Sequence, residues 1–186
     1  MPRSAGFLDR DGVIVESRRH AGEPGPPESV DDVAIPDGVG DALSTLRAAG
    51  YLLIVITNQP DVARGTTTRS AVEAINEYIS EVLPVDGVYT CLHDGDACSC
   101  RKPRPGLLLE AARDHDIDLV HSWLIGDRWV DIAAGRAVGV RTVLLERDYS
   151  WSSTSQGAAP PGLRADAVGA DLAECVAAVT ASDRSR

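Results

Sequence analysis

The sequence predicts one α/β domain built on a parallel sheet with helices on both faces. Short apolar, β-branched runs alternate with segments whose apolar residues recur every three or four positions. Polar clusters follow several of the apolar runs, as expected where strands of an open parallel sheet end on one edge. The 186 residues are enough for one sizeable core.

The elements follow in order. Gly6-Phe7-Leu8 reads as a short strand that runs into Asp9-Arg10-Asp11-Gly12, with Val13-Ile14-Val15 just beyond the turn. Residues 16–36 are polar, carry Pro24, Pro26 and Pro27, and read as a loop. Val39, Leu43, Leu46 and Ala49 keep helical spacing, and Gly50 ends that helix. Leu52 to Ile56 reads as a buried parallel strand. Thr66-Thr67-Thr68 leads into a helix with Val72, Ile75, Ile79 and Val82 on one face, capped by Thr68 or Ser70. Gly87 to Cys91 is a third strand, and Pro105 suits the first turn of a helix running to about His115. Trp123-Leu124-Ile125 is a strand that stops at Gly126-Asp127. A helix follows to about Val138, then a strand from Thr142 to Leu145. Residues 149–165, rich in Ser, Pro and Gly, read as a flexible loop. Asp171 and Glu174 form a capping-box pattern before a last helix whose apolar face holds Leu172, Cys175, Val176 and Val179.

Apolar residues at 44% and charged residues at 25% describe a soluble globular protein. A net charge of -10 argues against nucleic acid, whose phosphates need Lys and Arg to displace counterions, and against an acidic membrane surface. The N-terminal residues carry no apolar run of signal-peptide length. The longest aliphatic run, Leu52 to Ile56, is far too short to cross a bilayer. A cytoplasmic monomer is expected, with neither nucleic acid nor membrane as partner.

Four polar clusters carry the chemistry: Asp9 and Asp11, then Thr57-Asn58-Gln59, then Arg101-Lys102-Pro103, then Asp127 and Asp131. Their types fit phosphoryl transfer. Asp9 can act as a nucleophile and form an acyl phosphate. Mg²⁺ takes oxygen ligands from one or two carboxylates plus phosphate and water, which Asp9 and Asp127 can supply. Lys102 and the Thr57 hydroxyl can hold the phosphoryl oxygens. Asp11 can protonate the leaving oxygen and later deprotonate the attacking water. Taken singly, Asp127 and Thr57-Asn58 could be caps, Lys102 a solvated charge and Asp131 a first-turn helix carboxylate. All four in this order make coincidence a poor account.

A second cluster, Cys91, His93, Cys98 and Cys100, places three Cys and one His within ten residues. That set suits a tetrahedral structural zinc site with no open position. Cys98 and Cys100 are too close for easy disulfide geometry. Zinc is expected to staple this loop so that Arg101 and Lys102 reach the phosphate. Cys175, on an apolar helix face, reads as core.

Phe7-Leu8-Asp9-Arg10-Asp11-Gly12-Val13-Ile14 resembles the first motif of the haloacid dehalogenase superfamily of phosphatases. Thr57-Asn58 resembles the second, Lys102 the third, and Gly126-Asp127-Arg128 with Asp131 the fourth. The resemblance spans about residues 5–148. It implies a Rossmann-like sheet, an aspartyl-phosphate intermediate, and Mg²⁺ held by Asp9, the Asp11 backbone carbonyl and Asp127.

The cysteine cluster before Arg101-Lys102-Pro103 is similar to the small, capless, zinc-loop branch that holds the heptose bisphosphate and histidinol-phosphate phosphatases. This implies a single phosphatase domain over residues 1–186, with 16–36 as substrate rim and 91–102 as zinc loop. The substrate expected is a small phosphorylated metabolite, first of all a sugar phosphate. Gln59, Ala63-Arg64-Gly65 and Arg101-Lys102-Pro103 resemble the heptose bisphosphate enzymes, which implies the 7-phosphate of D-glycero-D-manno-heptose 1,7-bisphosphate as substrate, with Arg64 or Arg101 meeting the second phosphate. Three departures keep histidinol phosphate as the alternative. Ser17 to Val30 lacks an aromatic segment expected there, Pro60-Asp61 replaces a small pair, and only four residues separate His93 from Cys98. A zinc-stapled binding module without catalysis is the alternative of another class.

Overall fold

The apolar runs become strands whose alternate side chains feed two separate cores. The computed structural model describes residues 2–20, 23–95 and 98–183. Residues 21 and 22 of the expected rim loop, and 96 and 97 of the expected zinc loop, lie outside the described residues.

In chain order the elements are β1 (Ala5–Leu8), β2 (Arg18–His20), β3 (Glu23–Gly25), α1 (Val39–Ala48), β4 (Leu52–Asn58), α2 (Asp61–Arg64), α3 (Arg69–Val82) and β5 (Gly87–Cys91). Then follow α4 (Gly106–His115), β6 (Trp123–Gly126), α5 (Trp129–Arg136), β7 (Arg141–Leu145), β8 (Ala167–Gly169) and α6 (Leu172–Asp183). Six strands form one sheet in the order β5-β4-β1-β6-β7-β8, every neighbouring pair parallel. Parallel pairing explains the unbroken apolar runs, because both faces are covered. Side chains alternate along each strand. Leu8, Leu53, Val55 and Ile125 therefore pack with Leu43 of α1, Ile75 of α3 and Val176 of α6. Phe7, Ile54, Ile56 and Leu124 pack on the other face with Leu107 and Leu108 of α4 and Ala134 of α5.

The caps are local and follow the sequence. The Thr68 hydroxyl, rather than that of Ser70, accepts the Ala71 N–H at 3.1 Å. Asp171 caps α6 by accepting the Glu174 N–H at 2.8 Å, while the Glu174 carboxylate reaches past Asp171 to the Ala170 N–H at 2.9 Å.

Three features differ from the sequence reading. The segment 16–36 contains an antiparallel pair, β2 with β3, and a 3-10 turn at Val30–Asp32. The sheet gains an edge strand, β8, beside β7. The first part of 149–165 is tied to the body: the Ser150 carbonyl accepts the Trp129 N–H at 2.9 Å, and the Ser152 carbonyl accepts its indole N–H at 3.2 Å.

Candidate active site

The carboxyl ends of β1, β4 and β6 open into one cavity of about 470 Å³, and Asp9, Thr57, Arg101, Lys102 and Asp127 line it. Strand pairing explains the convergence. β1 lies between β4 and β6, and the register Leu8 to Val55 and Leu8 to Ile125 sets Asp9 one residue before the level of Thr57 and Asp127 on the adjacent strands. The Asp9 N–H donates to the Ile125 carbonyl at 3.0 Å, continuing the ladder into the site.

Lys102 is the hub, although its side chain is only 2% exposed. Its Nζ lies 2.8 Å from Asp9 Oδ1 and 2.7 Å from Asp131 Oδ1, and donates to the Ile56 carbonyl at 3.1 Å. Burial would lower the Lys102 pKa, but the Asp131 and Asp9 carboxylates outweigh it and hold the ammonium charged. Asn58 clamps the same residue by its backbone: its amide donates to the Lys102 carbonyl and accepts the Lys102 N–H, both at 3.0 Å. Asp131 also accepts the Arg128 N–H at 3.1 Å at the start of α5.

Burial pushes the Asp9 carboxyl well above its usual range, and the charges of Asp131 and Asp127 add to the effect while Lys102 opposes it. Burial likewise pushes Asp127 up to about 7, with the Asp131 charge adding and the Tyr149 hydroxyl opposing. Tyr149 donates to Asp127 Oδ2 at 2.6 Å, and the Arg128 guanidinium lies 4.8 Å from the centre of its ring.

Asp127 Oδ1 is buried and has no hydrogen-bond partner. A buried, unpartnered carboxylate oxygen among other carboxylates is a position that a cation would answer. The oxygens of Asp9, Asp127 and Asp131 lie within 4.8 Å of one another. Both Asp131 oxygens are engaged, Oδ1 by Lys102 and Oδ2 by the Arg128 N–H, whereas Lys102 and the Arg10 N–H both fall on Asp9 Oδ1; this favours Asp9 and Asp127 as the hard oxygen pair that suits Mg²⁺. Gly12, at φ +88°, keeps this space open, since a Cβ there would stand 2.1 Å from Asp127 Oδ2.

The Cys91, His93, Cys98 and Cys100 ligand atoms also lie within 4.8 Å of one another. Cys91 Sγ is 3.6 Å from His93 Nδ1 and 3.7 Å from Cys98 Sγ; Cys100 Sγ is 3.3 Å from His93 Nδ1 and 3.1 Å from Cys91 Sγ. Tetrahedral zinc with ordinary bond lengths has edges of about 3.5 to 3.8 Å, so the set fits, tightest between Cys91 and Cys100. Burial raises the Cys98 thiol, but the Arg101 and Cys100 N–H groups pull it down to about 7, which favours a thiolate ligand. The cluster is joined to the cavity at both ends. The Gln59 N–H donates to the Cys91 carbonyl at 2.7 Å, and Cys100 is followed directly by Arg101 and Lys102.

Gln59 donates through Nε2 to Asp11 Oδ2 at 2.6 Å and to the Thr57 hydroxyl oxygen at 2.8 Å. Arg101 is 4% exposed; it donates to the His93 carbonyl at 3.1 Å and to Ser155 Oγ at 3.0 Å, and its Nε has no partner. Arg64 reaches the cavity rim but is gripped by Asp94 through two hydrogen bonds, 2.8 and 2.9 Å, and by Asp61 at 3.3 Å. The sequence singled out neither Arg10, Tyr149 nor Ser155. A cation between two acids at a strand end was a usable signal for Arg10. Tyr149 and Ser155 sit in a segment without periodicity and meet their partners only through the fold.

A family model described as "HAD-hyrolase-like" matches residues 99–175. D-glycero-beta-D-manno-heptose-1,7-bisphosphate 7-phosphatase of Helicobacter pylori is 37% identical over 158 residues, covering 78% of this chain and 87% of the relative. The Escherichia coli K12 protein of the same name is 36% identical over 154 residues, covering 76% and 78%. Among solved structures, the D,D-heptose 1,7-bisphosphate phosphatase from B. bronchiseptica, complexed with magnesium and phosphate, superposes with a TM-score of 0.78 at 29% identity, covering 96% of this chain and 99% of that one. On sequence and fold together, this chain is a haloacid dehalogenase-type phosphatase and belongs to the family of the heptose-1,7-bisphosphate 7-phosphatases.

Proposed function

We propose that the chain removes one phosphate from a heptose bisphosphate through a phosphoryl-Asp9 intermediate, with the 7-phosphate of D-glycero-D-manno-heptose 1,7-bisphosphate as substrate. The observation that carries this reading is the Asp9 carboxylate held 2.8 Å from the buried Lys102 ammonium at the floor of an open cavity. In the first step Asp9 attacks phosphorus; the bond to Asp9 forms as the bond to the sugar oxygen breaks, and Asp11 gives that oxygen its proton. In the second step a water attacks the phosphorus, Asp11 takes a proton from it, and the Asp9 carboxylate is released with inorganic phosphate.

Lys102 balances the phosphoryl oxygens. Thr57, whose oxygen already accepts from Gln59, has its O–H left to donate to them. Bound by Asp9, Asp127 and the Asp11 carbonyl, Mg²⁺ would supply charge neutralisation on the transferring group. Asn58 serves through the backbone of Lys102, and Asp131 through its ammonium. Arg101, buried with one free N–H, is the better placed cation for the second phosphate; Arg64 frames it through Asp94, which lies 3.6 Å from Arg101. Zinc at the cysteine cluster fixes the loop that presents Arg101 and Lys102.

We further take the chain as one domain over residues 1–186, supported by a single sheet shared by both cores, and as a monomer. A cytoplasmic location suits the three thiols of the metal cluster, which must stay reduced. Among the described residues no helix is long and apolar enough to cross a membrane.

Phosphate release on the heptose 1,7-bisphosphate, the heptose 7-phosphate, other sugar phosphates and histidinol phosphate tests the reading. The bisphosphate should lead in kcat/KM by a factor of about 100, the worth of one well-placed cation to phosphate pairing. Histidinol phosphate in the lead would overturn the substrate. Inertness toward every ester with Mg²⁺ present would leave a binding module.

A further inference from the structure

Arg10 heads the large fully buried side chains among the described residues, at 0% exposure, and nothing in the two-step reaction uses it. Its Nε donates to Asp11 Oδ1 at 3.1 Å and its Nη2 to Asp11 Oδ2 at 3.0 Å. Its Nη1 donates to Asn76 Oδ1 at 2.9 Å, and the Asn76 amide donates to Thr90 Oγ1 at 3.0 Å. The guanidinium thus spans from the Asp11 carboxylate to α3 and, through Asn76, to β5. Gln59 holds Asp11 from another direction, and its own N–H is tied to Cys91, next to Thr90. Both supports of Asp11 therefore end on the last two residues of β5.

The geometry points to Arg10 as a positioning residue that fixes the angle at which Asp11 meets the departing and attacking oxygens. This rests on the acid-base role proposed above for Asp11. Only a planar fork can grip both carboxylate oxygens and still reach Asn76; a lysine ammonium is a point charge on a flexible stem. A solvated arginine would be expected beside an acidic pair, and burying one instead demands that its partners be fixed. Proton transfer is steep in geometry, and a well-placed general acid contributes about 10² to 10⁴ in rate. Loosening Asp11 should fall on proton transfer and spare phosphate binding.

The test compares Arg10→Lys, Asp11→Asn and the double variant on a sugar phosphate, whose leaving oxygen needs a proton, and on p-nitrophenyl phosphate, whose leaving group does not. For the sugar phosphate, Arg10→Lys should lower kcat by about 10- to 100-fold with KM within about twofold. The pre-steady-state burst of nitrophenolate, which reports phosphorylation of Asp9 alone, should slow by less than about threefold. In the Asp11→Asn background the Arg10 change should add almost nothing, as expected of a residue that acts through another. A nitrophenolate burst slowed as much as kcat on the sugar phosphate, or full additivity with Asp11→Asn, would overturn the inference while leaving the role of Asp11 intact. Wild-type kcat in Asp11→Asn would remove both. Should Arg10→Lys not fold, Asn76→Ala, which cuts only the anchor of the guanidinium, must show the same leaving-group dependence in weaker form. An Asn76→Ala nitrophenolate burst slowed as much as kcat on the sugar phosphate would overturn the inference.

Discussion

Asp127→Asn should make the magnesium-free protein more stable while removing its activity. The Asp127 carboxyl is raised to about 7 by burial and by the Asp131 charge, against about 4 in an unfolded chain. Below pH about 4 both states hold the proton and this group carries no penalty. As pH rises toward 7 the unfolded chain ionises first, so stability falls; above 7 the loss is complete. About three pH units at 1.36 kcal/mol each give an upper figure near 4 kcal/mol. An amide keeps the Tyr149 hydrogen bond but leaves its own N–H groups to be satisfied, so a net gain of about 2 kcal/mol is expected. In a chain of this length that raises the midpoint by roughly 4 to 8 °C. The assay is thermal unfolding at pH 5 and pH 8 in magnesium-free buffer without chelator, so that a metal at the cysteine site would not be stripped, and again with Mg²⁺. Wild type should lose stability from pH 5 to 8 and regain it with Mg²⁺, and the variant should show a smaller pH loss and little response to Mg²⁺. A variant no more stable than wild type at pH 8 without Mg²⁺ would refute the reasoning.

Lys102→Met leaves Asp9 and Asp131 buried without their cation, 2.8 and 2.7 Å from where it stood. It should cost about 3 to 5 kcal/mol in chemical unfolding and abolish turnover. Removing zinc, or substituting Cys100→Ser, should lower both the unfolding midpoint and kcat even with Mg²⁺ supplied; unchanged kinetics in the zinc-free protein would separate the cluster from the site. Arg101→Ala should raise KM for the bisphosphate about 10- to 100-fold and change KM for a monophosphate far less, measured by phosphate release.

The candidate site was legible where it is encoded locally. Leu52 to Ile56 is apolar at every position because β4 is covered on both faces, and Thr68 and Asp171 announce their caps by type and offset. The polar clusters after β1, β4 and β6 could be placed together because parallel strands share their carboxyl edge. The cysteines and His93 were legible because metal ligands of this kind have few other reasons to cluster. What escaped lacks such a pattern. β8 offers only Ala167, Val168 and Gly169, with Val168 mostly exposed, and pairs at the sheet edge without a run of apolar residues. β2 and β3 carry Arg18 and Pro24 but no alternation of apolar and polar residues. Tyr149 meets Asp127 across 22 residues, a contact that no spacing rule encodes. Asn58 was legible as a site residue, but its task, clamping the Lys102 backbone from 44 residues away, emerges only in three dimensions.

The central claim is that Asp9 carries the phosphoryl group. Acid-quenched single turnover with phosphorus-labelled sugar bisphosphate measures it most directly. Label should appear transiently on the peptide containing Asp9, be released by hydroxylamine, and be absent from a folded Asp9→Asn variant that no longer turns over. Turnover at the wild-type rate by that variant, or transient label on any other residue, would contradict it.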